Sequence, residues 1–445
     1  MNPSFGWLSI VRLGLVQACL GAIVVMTTST LNRVMVVELA LPALLPGMLV
    51  AMHYLVQVVR PRMGHGSDIG QRRTPWIVGG MAVLAAGGAL AAVATAWMGS
   101  DRTAGIALAV VAFGLIGVGV SACGTSLLVL LAKRVDAPRR ATAATIVWLM
   151  MIVGFAVTAG VAGKLLDPYS PMRLVLVTAA ISVLALLVTV VATWRLEGTD
   201  ATETAAPMPE ARKPSFREAM AQVWAEPVAR RFTVFVFISM LAYSAQDLIL
   251  EPFAGTVFGF TPGQSTSLSG VQHGGVMLGM LAAAFAGRGR RFGSLRAWQI
   301  GGCLMSALAL LGLVAAGFVG PAWPFKATVF ALGAANGAFS IAAIASMMRL
   351  ASEGRHEREG VRMGLWGAAQ AVAFGMGGLV GTAASDLARW LIGTPSMAYA
   401  SVFAFEALLF IAAAVLAARL GAPVKAPREA ESRSDVGQHA GGVVA

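Results

Sequence analysis

Charge is what this sequence has least of. Asp, Glu, Lys and Arg make up 12% of its 445 residues, against about 25% in a soluble chain, which leaves too little solvating surface for a water-soluble globule. Cysteine is nearly absent, with three residues in all, and that excludes a disulfide scaffold. The 51 glycines follow no triplet period, so the chain is not collagen-like, and 57% AVILMFWYC excludes disorder over most of its length. Zinc-spaced Cys/His clusters, soluble domains and nucleophile–base constellations are also missing from the pattern. Nothing in the residues supports an enzyme.

What is present is apolar length. Crossing about 30 Å of hydrocarbon takes about 20 mostly apolar residues at about 1.5 Å each. Such stretches fall at 9–31, 42–60, 75–98, 104–132, 142–165, 172–194, 232–251, 265–287, 296–318, 322–349, 362–385 and 397–419, which predicts an all-α polytopic membrane protein with twelve transmembrane helices. The first span carries Arg12 and Gln17 and runs into Asn32 and Arg33 without a small-residue cleavage site, so it is expected to stay attached rather than act as a signal peptide. Of the 33 basic residues, 26 lie on the even-numbered connections, the 6–7 linker included, and the C-terminal tail, and 6 on the opposite side. By the positive-inside rule both termini are expected in the cytoplasm of an inner-membrane protein. The net charge of +12 is therefore a topology signal meeting lipid headgroups, with no nucleic acid implied.

The hydrophilic stretch 195–230 divides the chain six and six. The expected organisation is a six-helix bundle over 1–194, a cytoplasmic linker over 195–230 in which Ser215 to Trp224 could form an amphipathic helix, a second bundle over 231–419 and a disordered tail over 420–445. The halves echo each other. Span 2 is entered through Pro46-Gly47 and span 8 through Pro262-Gly263, each contains a histidine, His53 or His273, and each is followed by a Gly/Arg-rich loop. The first of these loops resembles the major facilitator signature G-x-x-x-D-R-x-G-R-R in Gly64, Asp68, Arg72 and Arg73, with Ile69 and Gln71 as departures. That resemblance implies two bundles in a major-facilitator-like arrangement, with a substrate path between them.

Charged groups at membrane depth cost at least about 2.5 kcal/mol each, so each asks for a reason. His53 and His273 can serve as interhelical hydrogen-bond partners or as ligands, with Gln57 and Gln272 close by in sequence. Asp247 and Glu251 stand four apart on one helix face, and Asn32, Arg33 and Glu38 follow span 1; they read either as proton-coupling groups or as a wet interfacial cap with an Arg33–Glu38 pair. Glu406 lies mid-span in helix 12 and is expected to be paired or to carry its proton. Arg12 is read as snorkelling to the surface, Gln17, Asn336 and Gln370 as interhelical partners, and Cys19, Cys123 and Cys303 as inert core residues.

Three longer strings are more specific. Leu31-Asn32-Arg33-Val34-Met35-Val36-Val37-Glu38 with the following Pro42 to Gly47, His65-Gly66-Ser67-Asp68 with Arg72 to Ile77, and Gln246-Asp247-Leu248-Ile249-Leu250-Glu251-Pro252-Phe253 with Val257 to Gly259 are similar to the PucC/LhaA family. This is the bacteriochlorophyll-delivery branch of the major facilitator superfamily. The resemblance implies a membrane factor for assembling light-harvesting complexes, with bacteriochlorophyll as its pigment. It implies antenna polypeptides or a reaction-centre antenna complex as partners, with pigment-synthesis enzymes as further candidates. The pigment's magnesium is commonly ligated by histidine, so His53 and His273 are the candidate ligands on chemistry alone. A proton-coupled transporter of a small amphipathic compound is the competing reading.

Overall fold

The computed structural model describes residues 5–57, 72–136, 139–197, 224–286, 294–353 and 359–420. Gly64 and Asp68 of the loop signature, most of the linker, the loop after span 8 and the tail beyond Leu420 lie outside them. The described residues form twelve helices: α1 Trp7–Glu38, α2 Leu44–Val56, α3 Thr74–Trp97, α4 Arg102–Arg134, α5 Arg140–Leu165 and α6 Pro171–Thr193, then α7 Pro227–Phe258, α8 Pro262–Ala286, α9 Leu295–Val319, α10 Phe325–Glu353, α11 Glu359–Ile392 and α12 Pro395–Arg419. Eleven are long and apolar enough to cross a membrane, and α2 is the short one.

Local chemistry sets where these helices begin. Asp101, Ser170 and Ser294 each accept a backbone N–H from the first turn of the helix that follows, and Pro171, Pro227 and Pro395 occupy first turns, where a missing N–H costs nothing. Thr261 and Gln264 form a reciprocal cap at the start of α8: the Gln264 N–H donates to Thr261 Oγ1 at 3.2 Å and the Thr261 N–H donates to Gln264 Oε1 at 3.1 Å.

The pairing of helices repeats between the halves. In the first half α1 packs on α5 and α6, α3 on α4 and α6, and α2 on α4; in the second α7 packs on α11 and α12, α9 on α10 and α12, and α8 on α10. Two seams join the bundles, α2 against α11 and α5 against α8, and each is the other's counterpart when the halves are exchanged. A large apolar cluster fills each bundle. A smaller one, with Ile152 of α5, Val276 and Met280 of α8 and Ile341 of α10, spans the α5–α8 seam.

Three helices, α1, α7 and α11, run well past the predicted ends, α11 reaching Ile392 where 385 was expected. Hydropathy ends the first at residue 31 and the seventh at 251, yet α1 and α7 each run for 32 residues. In α1 the extension is carried by π-helical turns at Met26–Leu31 and Val34–Glu38. Asn32 and Arg33 are therefore buried within the helix rather than placed in a connecting loop. The Arg12 guanidinium donates to the carbonyls of Ala192, at 2.9 Å, and Trp194 at the end of α6, where the helix dipole favours a cation.

Glycine permits the closest packing, between α8 and α10. A Cβ on Gly279 would lie 1.9 Å from the Ala334 carbonyl oxygen, and one on Gly337 would lie 2.0 Å from that of Val276. Gly279→Ala should destabilise the chain by about 1–3 kcal/mol. Gly274→Ala, facing open space in the same helix, should be neutral or slightly stabilising. Thermal unfolding of the two variants in detergent compares them directly.

Candidate functional site

Proline at 252 lies inside α7 and has no N–H to give to the carbonyl of Leu248, one turn earlier. In a membrane interior that carbonyl must find another donor. Asn32 of α1 supplies it from the opposite bundle, donating from Nδ2 at 2.7 Å. Around this bond the ends of α1 and α7 are tied together. The Ser29 hydroxyl donates to the Glu251 carboxylate, and Thr30 and Thr266 of α8 share a hydrogen bond of 3.0 Å between their hydroxyls. Arg33, 2% exposed, pairs with Glu38 and donates to the Phe260 carbonyl. Gly255 makes room for that guanidinium, since a Cβ there would stand 3.0 Å from Arg33 Nη2. Tyr169, in the turn between α5 and α6, is pushed up to about 12, first by burial and then by the Glu38 charge, with Arg33 opposing; its phenol stays neutral at physiological pH.

The structure thus joins Asn32, Arg33, Glu38 and Glu251 in one polar knot. Asp247 does not join it, although it shares a helix face with Glu251. It is partly exposed and accepts from Gln272 Nε2 at 3.5 Å. Tyr243 is within electrostatic reach of both Asp247 and Tyr54. An aromatic path crosses between the bundles here, from His53 and Tyr54 of α2 to Phe374 of α11, Tyr243 of α7 and Phe339 of α10, with ring centroids 4.6–6.4 Å apart at each step. Glu406 is 1% exposed and neither carboxyl oxygen has a hydrogen-bond partner among the described residues, and the same holds for both amide atoms of the fully buried Gln246. Gln17, Asn336 and Gln370 pair with Met151, Ser306 and Met240 respectively, and the three cysteines are buried and free.

The two histidines sit in different bundles. His53 is buried in α2, and Gln57 Nε2 lies 3.0 Å from its Nε2; an amide nitrogen is a donor, so that ring lone pair is engaged. His273 is half-buried in α8 beside the α5–α8 seam. Its Nδ1 lies 2.8 Å from the Ser269 carbonyl oxygen and so must carry the proton, which makes Nε2 the ring's acceptor. The Phe155 ring of α5 stands edge-on to it at 4.9 Å. Gln272 faces Asp247 and does not support His273. Of the loop signature, Arg72 is exposed and Arg73 is buried, with its backbone N–H donating at 2.7 Å to Glu197 Oε1.

Several residues here carry no sequence signal of their own. Ser29, Thr266, Ser269 and Phe155 are unremarkable by type; the partners of Ser29, Thr266 and Phe155 are far away in the chain, and Ser269 acts through its backbone carbonyl. Pro252 stands just beyond the predicted seventh span, and only the extension of α7 places it inside a helix, where it leaves a carbonyl to be satisfied.

The family profile described as PUCC protein matches residues 30–424. The chain belongs to that family. The "Bacteriochlorophyll synthase 44.5 kDa chain" of Rhodobacter capsulatus is 54% identical over 414 residues, covering 93% of this chain and 95% of that protein. "Protein PucC" of the same organism is 30% identical over 430 residues, covering 92% of each. Among solved structures, a peptide transporter, POT, in complex with sulfate superposes with a TM-score of 0.69 at 13% identity, over 94% of this chain and 97% of that one. The nucleoside transporter NupG gives 0.65 at 13%, over 93% and 100%. The fold of this PUCC-family chain is accordingly that of major facilitator transporters. The family strings beginning at Leu31 and Gln246 are the two sides of the knot.

Removing the Asn32 side chain leaves the Leu248 carbonyl unsatisfied and should cost about 1–3 kcal/mol. Pro252→Ala restores an intrahelical donor, so Asn32→Ala should cost much less in that background. A double-mutant cycle followed by thermal unfolding measures this coupling.

Proposed function

We propose that this PUCC-family chain is a multi-pass inner-membrane assembly factor for bacterial light-harvesting complexes, with both termini cytoplasmic, which receives bacteriochlorophyll as cargo and passes it to antenna polypeptides without catalysing its synthesis. The observation that carries the reading is the state of His273. Its Nδ1 proton is held by the Ser269 carbonyl, so Nε2 presents a lone pair beside the Phe155 ring and next to the apolar cluster of Ile152, Val276 and Met280. This is the arrangement in which histidine ligates a metal, the second ring nitrogen being fixed by a backbone carbonyl. A magnesium macrocycle held here would take a nitrogen ligand from His273, with Phe155, Ile152, Val276 and Met280 supplying the apolar surroundings its ring needs. The residues present fit such a group at His273, and they fit it less well at His53, whose Nε2 is engaged by Gln57. The names of the relatives, one a bacteriochlorophyll synthase chain and others PucC, support a pigment as the cargo.

A second reading, proton-coupled transport of a small amphipathic compound, is favoured by Asp247, a partly exposed acid within α7 that meets Gln272 of α8. The two readings separate by variant. His273→Ala should lower the near-infrared pigment that co-purifies from photosynthetically grown cells by about tenfold or more. His53→Ala should lower it little, and Asp247→Asn should leave it unchanged. Full pigment in His273→Ala would refute the ligand assignment. A colourless wild-type preparation without antenna polypeptides, together with transport lost in Asp247→Asn, would overturn the delivery reading.

A further inference from the structure

The two seams carry matching acids at the end remote from the chain termini. At the α2–α11 seam, Asp386 of α11 accepts the backbone N–H of Ala43, the N-cap of α2, on Oδ1 at 3.0 Å and that of Leu44, its first residue, on Oδ2 at 2.7 Å. At the α5–α8 seam, Asp167, just after α5, accepts the Thr261 hydroxyl at 2.8 Å. Thr261 is the cap of α8 and itself accepts the Gln264 N–H, so the carboxylate acts on that helix start through one hydroxyl. In each case a carboxylate from the end of one helix rests on the positive N-terminus of a helix in the other bundle, where the dipole and the unsatisfied N–H groups favour an anion. Because α5 corresponds to α11 and α8 to α2 in the repeated packing, these are one contact made twice.

The backbone around both contacts is shaped for close approach. A Cβ on Gly263 would stand 2.5 Å from Asp167 Cγ, and one on Gly47 would stand 2.1 Å from Thr382 Oγ1, one turn from Asp386. Between the two seams lies the knot of Ser29 with Glu251, Thr30 with Thr266, Asn32 with the Leu248 carbonyl and Arg33 with the Phe260 carbonyl. Every one of these ties crosses from one bundle to the other at the same end.

We propose that Asp167 and Asp386 form a duplicated clasp that holds this end shut by gripping one helix N-terminus from each bundle, with the central knot as the seal, so that cargo does not leave there. Two equivalent contacts placed on either side of the seal resist both hinges of an opening motion, and either alone resists one. The clasp stands independently of what the chain carries.

The test uses the full chain in oriented vesicles with Thr30→Cys as reporter. A membrane-impermeant maleimide is applied from the side remote from the termini, and the wild-type chain, whose three cysteines are buried, serves as the blank. With both acids intact the reporter should label slowly. Asp167→Ala and Asp386→Ala should each speed labelling by about tenfold, the shift expected from losing one helix-terminus contact in a two-state equilibrium, and the double variant should exceed either. Asp386→Asn keeps one acceptor oxygen and removes the charge, so it should fall between wild type and Asp386→Ala. It also serves, with Asp167→Asn, should the alanine variants fail to fold. Labelling that stays at the wild-type rate in a folded double variant, or in both asparagine variants if the alanine variants are lost, overturns the clasp.

Discussion

A single carbonyl group organises this protein. Pro252 strips Leu248 of its intrahelical donor, and no water is at hand in the hydrocarbon to take the donor's place. Asn32, on the other bundle, answers at 2.7 Å. Because the bond crosses between α1 and α7, its geometry fixes the register of the two axial helices against each other, and the neighbouring ties follow that register. Ser29 meets Glu251, Thr30 meets Thr266, and Arg33 reaches the Phe260 carbonyl past Gly255. A buried arginine is costly unless its charge is paired; here the Glu38 carboxylate and the Phe260 carbonyl take Nη1 and Nη2, the missing Cβ of Gly255 makes room, and Nε has no partner among the described residues.

Most of the architecture was legible in the sequence because hydrocarbon imposes length and composition on a spanning helix. The order of spans and the repeat of Pro-Gly entries and histidines emerge from that constraint. The ends of α1 and α7 were not legible. Hydropathy treats Asn32, Arg33 and Glu251 as the end of a span, whereas the chain continues the helix and buries them against partners more than two hundred residues away. The Arg33–Glu38 pair was readable, since both members lie on one short stretch. The difference between His53 and His273 was not, because it rests on the Gln57 amide in one case and on a backbone carbonyl of Ser269 in the other. Asp247 and Glu251 share a face by spacing, but they part company in space because Ser29 takes one and Gln272 the other.

The repeated framework is used unequally. Corresponding helices carry corresponding histidines, yet the Nε2 of His53 meets the Gln57 amide while His273 holds its Nδ1 on the Ser269 carbonyl and keeps Nε2 as an acceptor. Glycine at Gly279 and Gly337 brings α8 and α10 into backbone contact, so the helix that bears His273 is held rigidly from behind while its other side meets α5. Across the interior, the aromatic path from Tyr54 to Phe339 gives a continuous apolar bridge between the bundles, with Asp247 beside it.

The π-helical turns of α1 have a consequence for how such a chain can change over generations. Each wide turn accommodates a residue more than an α-turn would, and the surplus is what brings Ser29, Thr30, Asn32 and Arg33 to bear on α7 and α8 within so short a stretch. Loss of one codon between Met26 and Glu38 would let the helix relax to ordinary α geometry without breaking it, while rotating every later side chain about 100° away from its partner. This segment should therefore tolerate conservative replacements far better than any change in its length.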